Sequence, residues 1–269
     1  MNKNIAVGVI TYKPGQNLVA RLTAALAAGY RIYLFDNSPE DPAISKFAAE
    51  NPDGVKYLTG GTNAGLGYAL AALCSCAYDE GVRALLFFDQ DTVFTPLTLD
   101  FVDAFNAQHP GLDKAYSSVV FNAKGTPMAE RDGLALNDVP LAVNSGSLYF
   151  LENLKRLGWH NKTYFVDCVD YEFCLNTYSH GLKVGEYTRT PGFDHSSEQA
   201  DSLYNFFGTL RPMRAYAPGR IWDSVRATLR LLGTALMTGN LAFFRIIGMA
   251  TAKYLVIQFY VRAAWFTRQ

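Results

Sequence analysis

Residues 84–92 read Ala84-Leu85-Leu86-Phe87-Phe88-Asp89-Gln90-Asp91-Thr92. An apolar run of this length, without polar alternation, is typical of a strand that is covered on both faces of a parallel sheet. Ligands gather at the carboxyl ends of such strands, and this one ends in two carboxylates. Because side chains alternate along a strand, we expect Asp89 and Asp91 on one face, where they could hold Mg²⁺ or Mn²⁺ with substrate phosphates. For the pair taken alone, a turn that merely closes a core strand is the alternative.

Short apolar runs alternate with helical stretches on both sides of this segment. We predict strands at 5–11, 31–36, 55–59 and 84–89 and helices at 16–29, 41–50, 64–80 and 96–107. A second section has predicted strands at 114–122, 141–150 and 183–189 and a helix at 169–180. This rhythm predicts an α/β fold of βαβ units, with a mixed, mainly parallel sheet flanked by helices.

The 269 residues include 24 basic and 24 acidic side chains, but the two signs are separated along the chain. Residues 211–269 have a net charge of +8, and the first 210 residues have −8. Many large apolar residues lie between the basic ones, which favours an anionic membrane surface over nucleic acid as the partner of this tail. Its longest uncharged run, 231–244, is shorter than the roughly 20 residues that cross a bilayer. We therefore expect the tail to lie on the membrane; a helical pair packed on the body is the alternative.

These patterns predict a catalytic domain at 1–210 and a basic, amphipathic helical tail at 211–269. Within the domain, a nucleotide-binding part is expected at about 1–110 and an acceptor part at about 111–210. The four cysteines have neither the spacing of a disulfide framework nor that of a zinc site. The N-terminus leads into the first strand without the apolar segment of a signal peptide, so we expect a cytoplasmic protein, peripheral on the inner face of the cell membrane. No pattern fixes an oligomeric state.

Polar or glycine residues stand where each of the first three strands should end. They are Thr11 and Tyr12, Asp36 and Asn37, and Asn63 and Gly65. Since the carboxyl ends of parallel strands share one edge of a sheet, we expect these residues near Asp89, around a nucleotide diphosphate. Turn or helix-capping chemistry is the alternative for each residue alone. The glycine-rich segment 60–67 has neither P-loop nor dinucleotide-site spacing, which argues against an NTPase and a nicotinamide enzyme.

A second acidic cluster lies in 165–175, where Asp167, Asp170 and Glu172 stand among apolar neighbours. Three carboxylates this close cannot all ionise cheaply when buried, so one of them would have a raised pKa and could act as a general base. Asp170 also stands at the start of a predicted helix, and helix N-capping is its alternative role.

Two further polar segments lie outside these clusters. Asn144, Ser145 and Gly146 interrupt a strand-like stretch and either face an acceptor hydroxyl or form a bulge. His195 lies in a polar, turn-like context, where it either completes a two-carboxylate metal site or is structural.

In this order, the motifs resemble those of the inverting glycosyltransferases of family 2, which have the GT-A fold. Segments 87–92 and 165–172 are most similar to the bacterial rhamnosyltransferase branch, and the resemblance covers about residues 5–200. It implies that Asp170 is the catalytic base and that the metal, Mg²⁺ or Mn²⁺, is held by Asp89, Asp91 and His195. It further implies a nucleotide-sugar site and an acceptor site. The former comprises Thr11, Tyr12, Asp36, Asn37, Asn63, Gly65 and Asp89, and the latter Asn144, Ser145, Gly146 and Glu172.

The activity that this resemblance implies is metal-dependent, inverting transfer of a sugar from a dTDP- or UDP-sugar to a lipid-linked glycan in bacterial cell-surface polysaccharide synthesis. L-Rhamnose from dTDP-rhamnose is the first expectation. One alternative is a haloacid-dehalogenase-type phosphatase, whose Asp-x-Asp-x-Thr/Val motif is nearly matched by 89–93, although that family places it after its first core strand. A nucleotidyltransferase and a non-catalytic, membrane-associated sugar-binding protein are the others.

Overall fold

The computed structural model describes residues 3–15, 17–40, 42–122, 135–195, 202–206 and 209–266. The chain forms two compact units, Met1–Ser196 and Ser197–Gln269. The boundary expected between residues 210 and 211 lies within a strand of the second unit, so the units divide earlier in the chain than the change in charge suggests.

The first unit alternates strands with helices through its N-terminal half. Its elements are β1 (Ala6–Thr11), α1 (Asn17–Ala27), β2 (Ile32–Asp36), α2 (Pro42–Glu50), β3 (Val55–Thr59), α3 (Leu66–Asp79), β4 (Ala84–Asp89), β5 (Thr92–Val93) and α4 (Pro96–Gln108). After a 3-10 turn at Leu112–Lys114 come β6 (Tyr116–Val120), β7 (Leu136–Asp138), β8 (Ser147–Phe150), α5 (Leu151–Arg156), α6 (Val169–Ser179), β9 (Lys183–Tyr187) and β10 (Asp194–His195). All eight elements predicted before residue 108 are present, with small shifts at their ends.

Eight strands form one mixed sheet in the order β3-β2-β1-β4-β8-β6-β9-β7. The pairs from β3 to β4 are parallel, whereas β8 runs antiparallel to both of its neighbours. The register aligns Thr11 with Asp36, Asp36 with Thr59, and Ile10 with Asp89. The last residues of β1 to β4 therefore lie side by side, and we call this row the carboxyl edge.

Strands β1, β2 and β4 are apolar because they are covered on both faces, whereas β3, at the end of the sheet, is only partly buried. Every residue of β1 and β2 is buried, as is every residue of β4 before Asp89. Beneath the end of β4, the ring of Phe88 stacks on Phe94 at 4.6 Å and meets Phe193 edge-on at 4.8 Å. Burying one such side chain stabilises the fold by about 1.5–3 kcal/mol. The closely packed rings therefore hold the end of β4 in place.

The strand predicted at 141–150 is shorter in the structure, where β8 begins at Ser147. Gly146 has φ +80, a left-handed conformation that ends the extended backbone, and its N–H bonds to the carbonyl of Phe87. The polar residues before Ser147 therefore form a loop against the end of β4.

The second unit consists of a hairpin, β11 (Ser202–Phe206) and β12 (Thr209–Met213), and two long helices, α7 (Pro218–Met237) and α8 (Leu241–Phe266). A small apolar core joins Tyr204 and Met213 of the hairpin to Val261 of α8. Within α8, Leu241–Ala263 is long and apolar enough to cross a membrane, by length and composition alone. This stretch contains Arg245 and Lys253, so it is longer than the uncharged run 231–244, and the expectation that the tail lies on a membrane stays a prediction.

Candidate functional site

Asp36 organises the carboxyl edge from within. Its side chain is fully buried, and its Oδ1 accepts hydrogen bonds from the Thr11 hydroxyl at 3.1 Å and the Ser38 N–H at 2.8 Å. The Tyr57 hydroxyl donates to Oδ2 at 3.0 Å. Protein groups thus bind both carboxylate oxygens, so Asp36 holds three segments of the edge in place.

Asn37 ties the second and third loops of the edge together. It is buried, and its Oδ1 accepts a hydrogen bond from the N–H of Ala64 at 2.9 Å. In the same loop, the Oδ1 of Asn63 accepts from the N–H of Gly65 at 3.0 Å, and the Asn63 side chain is otherwise exposed. Helix α3 begins at Leu66 without a side-chain cap, so Asn63 shapes the loop before the helix and is not its cap.

Tyr12 is exposed at the end of β1, where an aromatic ring is accessible to a ligand. Its N–H donates to Oε1 of Gln90 at 2.6 Å, which joins the loop after β1 to the turn after β4. The structure therefore brings the predicted residues Thr11, Tyr12, Asp36 and Asn37 to the same edge as Asp89.

The turn at 89–92 is held by groups from both sides of the sheet. Ser145 Oγ accepts the Asp89 N–H at 3.0 Å and shares a hydrogen bond of 2.6 Å with the Thr92 hydroxyl. From α1, Arg21 donates to the backbone carbonyls of Gln90 and Thr92. Side chains thus hold three backbone atoms of this turn, the Asp89 nitrogen and the carbonyl oxygens of Gln90 and Thr92.

The loop 144–146 supports this turn, and its predicted role toward an acceptor stays a prediction. Asn144 and Ser145 are buried, and the Asn144 amide oxygen accepts from the Tyr149 hydroxyl at 2.8 Å. At Gly146, a Cβ would lie 2.1 Å from Oδ1 of Asn122, so no larger residue fits there.

The segment 161–165 joins the acidic start of α6 to the start of α3. The carbonyl of Phe165 accepts the Leu66 N–H at 2.5 Å, and a Cβ at Gly65 would lie 2.6 Å from that same oxygen. Asn161 donates to Glu172 Oε1 at 3.1 Å. This segment leads into α6, whose second residue is Asp170, so the two predicted clusters meet in one site.

Asp170 does not cap its helix with its side chain. The capping residue of α6 is Cys168, in a left-handed conformation with φ +65 that is unusual for a residue other than glycine. Asp170 Oδ1 accepts the N–H of Tyr171 at 2.9 Å. The helix-capping alternative is therefore wrong, because Asp170 is already the second residue of α6 and Cys168 occupies the capping position.

Burial and neighbouring charges both raise the pKa of carboxylates at this site, and burial is the larger cause. Burial, and then the charges of Asp91 and Asp170, raise the pKa of Asp89 to about 7. Burial is also the largest cause that raises the pKa of Asp170, to about 6, and the charge of Asp167 adds to it. Three carboxylates from two distant sequence motifs thus share one poorly solvated place.

A divalent cation fits this place through Asp89 and Asp91. In the part of the chain that the structure describes, no three or more His, Cys, Asp or Glu side chains form a group that could hold a metal ion. In transferase sites, Mg²⁺ is usually held by one or two carboxylates together with substrate phosphates. Asp89 and Asp91 can supply the carboxylates. A cation would also relieve the repulsion that raises the pKa of Asp89. For His195 only the backbone is described, paired with Thr92, and its predicted side-chain role lies outside the described structure.

Sequence reasoning missed three groups that build the site: Arg21, Gln90 and the carbonyl of Phe165. Gln90 lies between Asp89 and Asp91, so its position in the motif could have identified it. Arg21 lies 69 residues before Gln90, and no local pattern marks it.

Comparisons with known proteins agree with this geometry. Residues 6–118 match the model of a family described as Glycosyl transferase family 2. A curated relative, the dTDP-rhamnosyl transferase RfbF of Shigella flexneri, is 25% identical over 198 residues. The match covers 68% of this chain and 66% of the relative, so the chain spans just under two thirds of that protein's length.

Two crystal structures are similar in fold. S. aureus TarS 1-349 has a TM-score of 0.52 and 17% identity, covering 73% of this chain and 61% of that one. GalNAc-T7 with UDP, GalNAc and Mn²⁺ has a TM-score of 0.55 and 12% identity, covering 84% of this chain and 48% of that one. At these identities the likeness shows a shared fold: a mixed, mainly parallel sheet flanked by helices.

Proposed function

Because residues 6–118 match the model of the family described as Glycosyl transferase family 2, we propose that this chain transfers a sugar from a nucleotide-diphosphate donor to an acceptor hydroxyl with inversion. The fold is GT-A-like. The observation that carries the proposal is that Asp89, at the carboxyl edge, lies near enough to Asp91 and Asp170 for their charges to raise its pKa. The relative RfbF supports dTDP-rhamnose as the donor.

We place the donor over the carboxyl edge. Tyr12 offers an exposed ring beside the ends of β1 and β2, and Asn63 offers an exposed amide in the loop after β3. Thr11, Asp36 and Asn37 are buried and hydrogen-bonded to protein groups, so we assign them to shaping the nucleotide pocket. A rigid, preformed pocket lowers the entropy lost on binding.

Asp170 is assigned as the base that removes the proton from the acceptor hydroxyl as its oxygen attacks the anomeric carbon. A base is effective when its pKa lies near the working pH, and burial raises the pKa of Asp170 to about 6. The Tyr171 N–H donates a hydrogen bond to Oδ1 of Asp170 and so orients the carboxylate. Glu172 lies in the same helical turn and accepts a hydrogen bond from Asn161, and we assign it to the acceptor site.

Asp89 and Asp91 would hold the divalent cation. When bound, such an ion stabilises the negative charge on the departing nucleoside diphosphate. Ser145 and Gln90 hold the turn on which both carboxylates stand, so that these carboxylates need little rearrangement when a donor arrives.

The second unit is proposed to bind an anionic membrane and so to bring the site to a lipid-linked glycan acceptor. On α7, Trp222, Leu229 and Leu236 are exposed and spaced by seven residues, which places them on one face of the helix. Arg226 lies on the same face, with its guanidinium 6.0 Å from the Trp222 ring. On α8, Leu241, Met249, Val256 and Phe259 form a second exposed apolar stripe. Apolar stripes flanked by arginines are typical of helices that insert into the membrane interface.

Donor binding and hydrolysis test the catalytic proposal. We expect dTDP or UDP with Mn²⁺ to raise the melting temperature, because a ligand that binds only the folded state stabilises it. Incubation with dTDP-rhamnose should then release rhamnose slowly without an acceptor. Binding without any turnover would favour the non-catalytic sugar-binding alternative, and release of inorganic phosphate from phosphomonoesters would favour the phosphatase. If neither nucleotide binds, the proposed function is wrong.

A further inference from the structure

Arg21 of α1 reaches across to the turn that carries Asp91. Its Nη2 donates a hydrogen bond to the carbonyl of Gln90 at 2.7 Å, and its Nη1 donates to the carbonyl of Thr92. These two carbonyls belong to the residues on either side of Asp91. A guanidinium is a planar fork with fixed donor directions, so two acceptors held at once are fixed relative to each other.

The guanidinium is itself fixed from below. Its Cζ lies 5.7 Å from the centroid of the Phe94 ring, and Phe94 stacks on Phe88 of β4. The side chain is also partly buried, and charge-assisted hydrogen bonds are stronger where water is excluded. Arg21 therefore links helix α1, the aromatic base under β4 and the turn into one rigid body.

The same contact extends to the strand that follows. Thr92 begins β5, which pairs with β10 through the register Thr92 with His195 and Val93 with Asp194. By holding the Thr92 carbonyl, Arg21 also fixes the point at which β10 joins the site.

We propose that Arg21 is a positioning residue, which holds the Gln90–Asp91 and Thr92–Val93 peptide groups so that the Asp91 carboxylate between them faces the donor diphosphate and its cation. The identity of that ligand rests on the proposed function, whereas the hold on the turn does not. Methionine at position 21 keeps the length of the stem and removes every donor. Lysine keeps a charge but offers a single ammonium that cannot reproduce the fork.

The first measurement needs no ligand. Hydrogen exchange of the backbone amides at 89–93 is followed by mass spectrometry in wild type and Arg21→Met. We expect exchange on the order of tenfold faster in the variant, because the turn opens locally without its clamp. Arg31→Met is the matched control: Arg31 also lies over an aromatic ring, that of Tyr33, and pairs with Glu80, but at the opposite end of β2. Turn amides that exchange equally in wild type and Arg21→Met would overturn the proposal.

The second measurement is Mn²⁺ binding in the presence of dTDP or UDP, read from the electron paramagnetic resonance signal of free Mn²⁺. We expect the Mn²⁺ concentration at half-saturation to rise about tenfold or more in Arg21→Met and by less in Arg21→Lys. In Arg31→Met it should not change. A purely structural role would lower the melting temperature and the fraction of competent protein while leaving the half-saturating concentration unchanged, and that result would overturn the proposal. If the wild type binds neither nucleotide nor Mn²⁺, the proposed function fails, and the exchange data still decide whether Arg21 holds the turn.

Discussion

At the scale of single residues, the environment of Asp170 decides its chemistry. Burial raises its pKa to about 6, although hydrogen bonds from the backbone N–H groups of Tyr171 and of Asp170 itself act in the opposite direction. The deprotonated form, which accepts a proton, therefore predominates above that pH. Asp91, by contrast, stands on the clamped turn where a cation would bind. The two residues should thus affect different steps.

Replacing Asp170 tests the base. Asp170→Asn keeps the acceptor of the Tyr171 N–H but loses the proton-accepting oxygen, so we expect donor binding to persist and kcat to fall by roughly 10² or more. Initial rates of sugar transfer, or of donor hydrolysis, measure this. Asp167→Asn removes a neighbouring carboxylate as a control, and its loss should be far smaller. Near-normal turnover in Asp170→Asn would remove Asp170 from the role of base.

Replacing Asp91 tests the metal. Asp91→Ala removes one of two hard oxygen ligands and leaves the strand intact, so we expect nucleotide binding to lose most of its dependence on Mn²⁺. Calorimetric titration of dTDP and UDP, with Mn²⁺ or with EDTA, checks this, and Asp53→Ala at an exposed loop position is the control. Equal binding by the wild type in EDTA would show that the Asp-x-Asp turn needs no metal.

His160 is predicted to limit stability in acid. It is fully buried between Phe173 and Tyr149, no polar atom of the described chain bonds either ring nitrogen, and burial lowers its pKa to about 3. Below its ordinary pKa near 6.5 the unfolded chain binds a proton that the folded chain does not, so stability falls as pH drops. Between pH 7 and 5 this single site lowers the free energy of unfolding by about 2 kcal/mol.

In His160→Leu that contribution should vanish. Urea unfolding at both pH values gives the comparison, and the variant should gain about 2 kcal/mol relative to wild type on going from pH 7 to 5. An unchanged difference between the two proteins would show that His160 is hydrated or bonded in solution.

At the scale of elements, the site depends on how closely α3 approaches the segment 161–165. A Cβ at Gly67 would lie 2.5 Å from the carbonyl oxygens of both Asn161 and Tyr164. These are backbone atoms, which cannot move without shifting the segment that leads to Asp170. The helix and the acidic segment are therefore coupled through a residue that carries no side chain.

Substitution of Gly67 should disturb both fold and activity. Overpacking typically costs about 1–3 kcal/mol, so we expect Gly67→Ala to lower the melting temperature and kcat together. Gly233→Ala in α7 is the control: nothing lies within 4 Å of its Cβ position, and alanine there should stabilise the helix by up to about 1 kcal/mol. Differential scanning fluorimetry and rate assays on both variants make the comparison. Gly67→Ala with wild-type stability would contradict the close packing.

At the scale of the whole molecule, charge and apolar exposure are concentrated in the second unit. Eleven of the seventeen exposed large hydrophobic residues of the described chain lie after residue 196. The nine basic residues after 210 lie in the same part of the chain. Membrane binding should therefore depend on this unit.

Vesicle sedimentation tests that dependence. Wild type should pellet with phosphatidylglycerol vesicles, with one part of the binding lost at high salt through screening and another retained through apolar insertion. A chain ending at Ser196 should stay in the supernatant, as should Trp222→Ser/Leu229→Ser/Leu236→Ser in high salt. Equal pelleting of all three proteins would exclude the tail as the membrane element. A shortened chain that does not fold would instead show that 197–269 complete the catalytic domain.

The sequence by itself determined the strands and helices before residue 108, the carboxyl edge and the start of α6. The local pattern is sufficient there, because an apolar run such as 84–88 is typical of a strand buried inside a sheet. Parallel pairing of such strands then brings Asp36 and Asp89 to one edge. The two acidic motifs were found for the same reason, because each is contiguous in the chain.

Only the tertiary structure decided which groups hold those motifs in place. Arg21 bonds the turn at 90–92, Ser145 bonds Asp89 from 56 residues away, and the Phe165 carbonyl bonds Leu66. Such contacts join segments that are distant in sequence, and each uses a common residue type or a backbone atom that carries no periodic signal. Contiguous motifs thus identify the chemical groups of the site, whereas its geometry depends on long-range packing that no single segment determines.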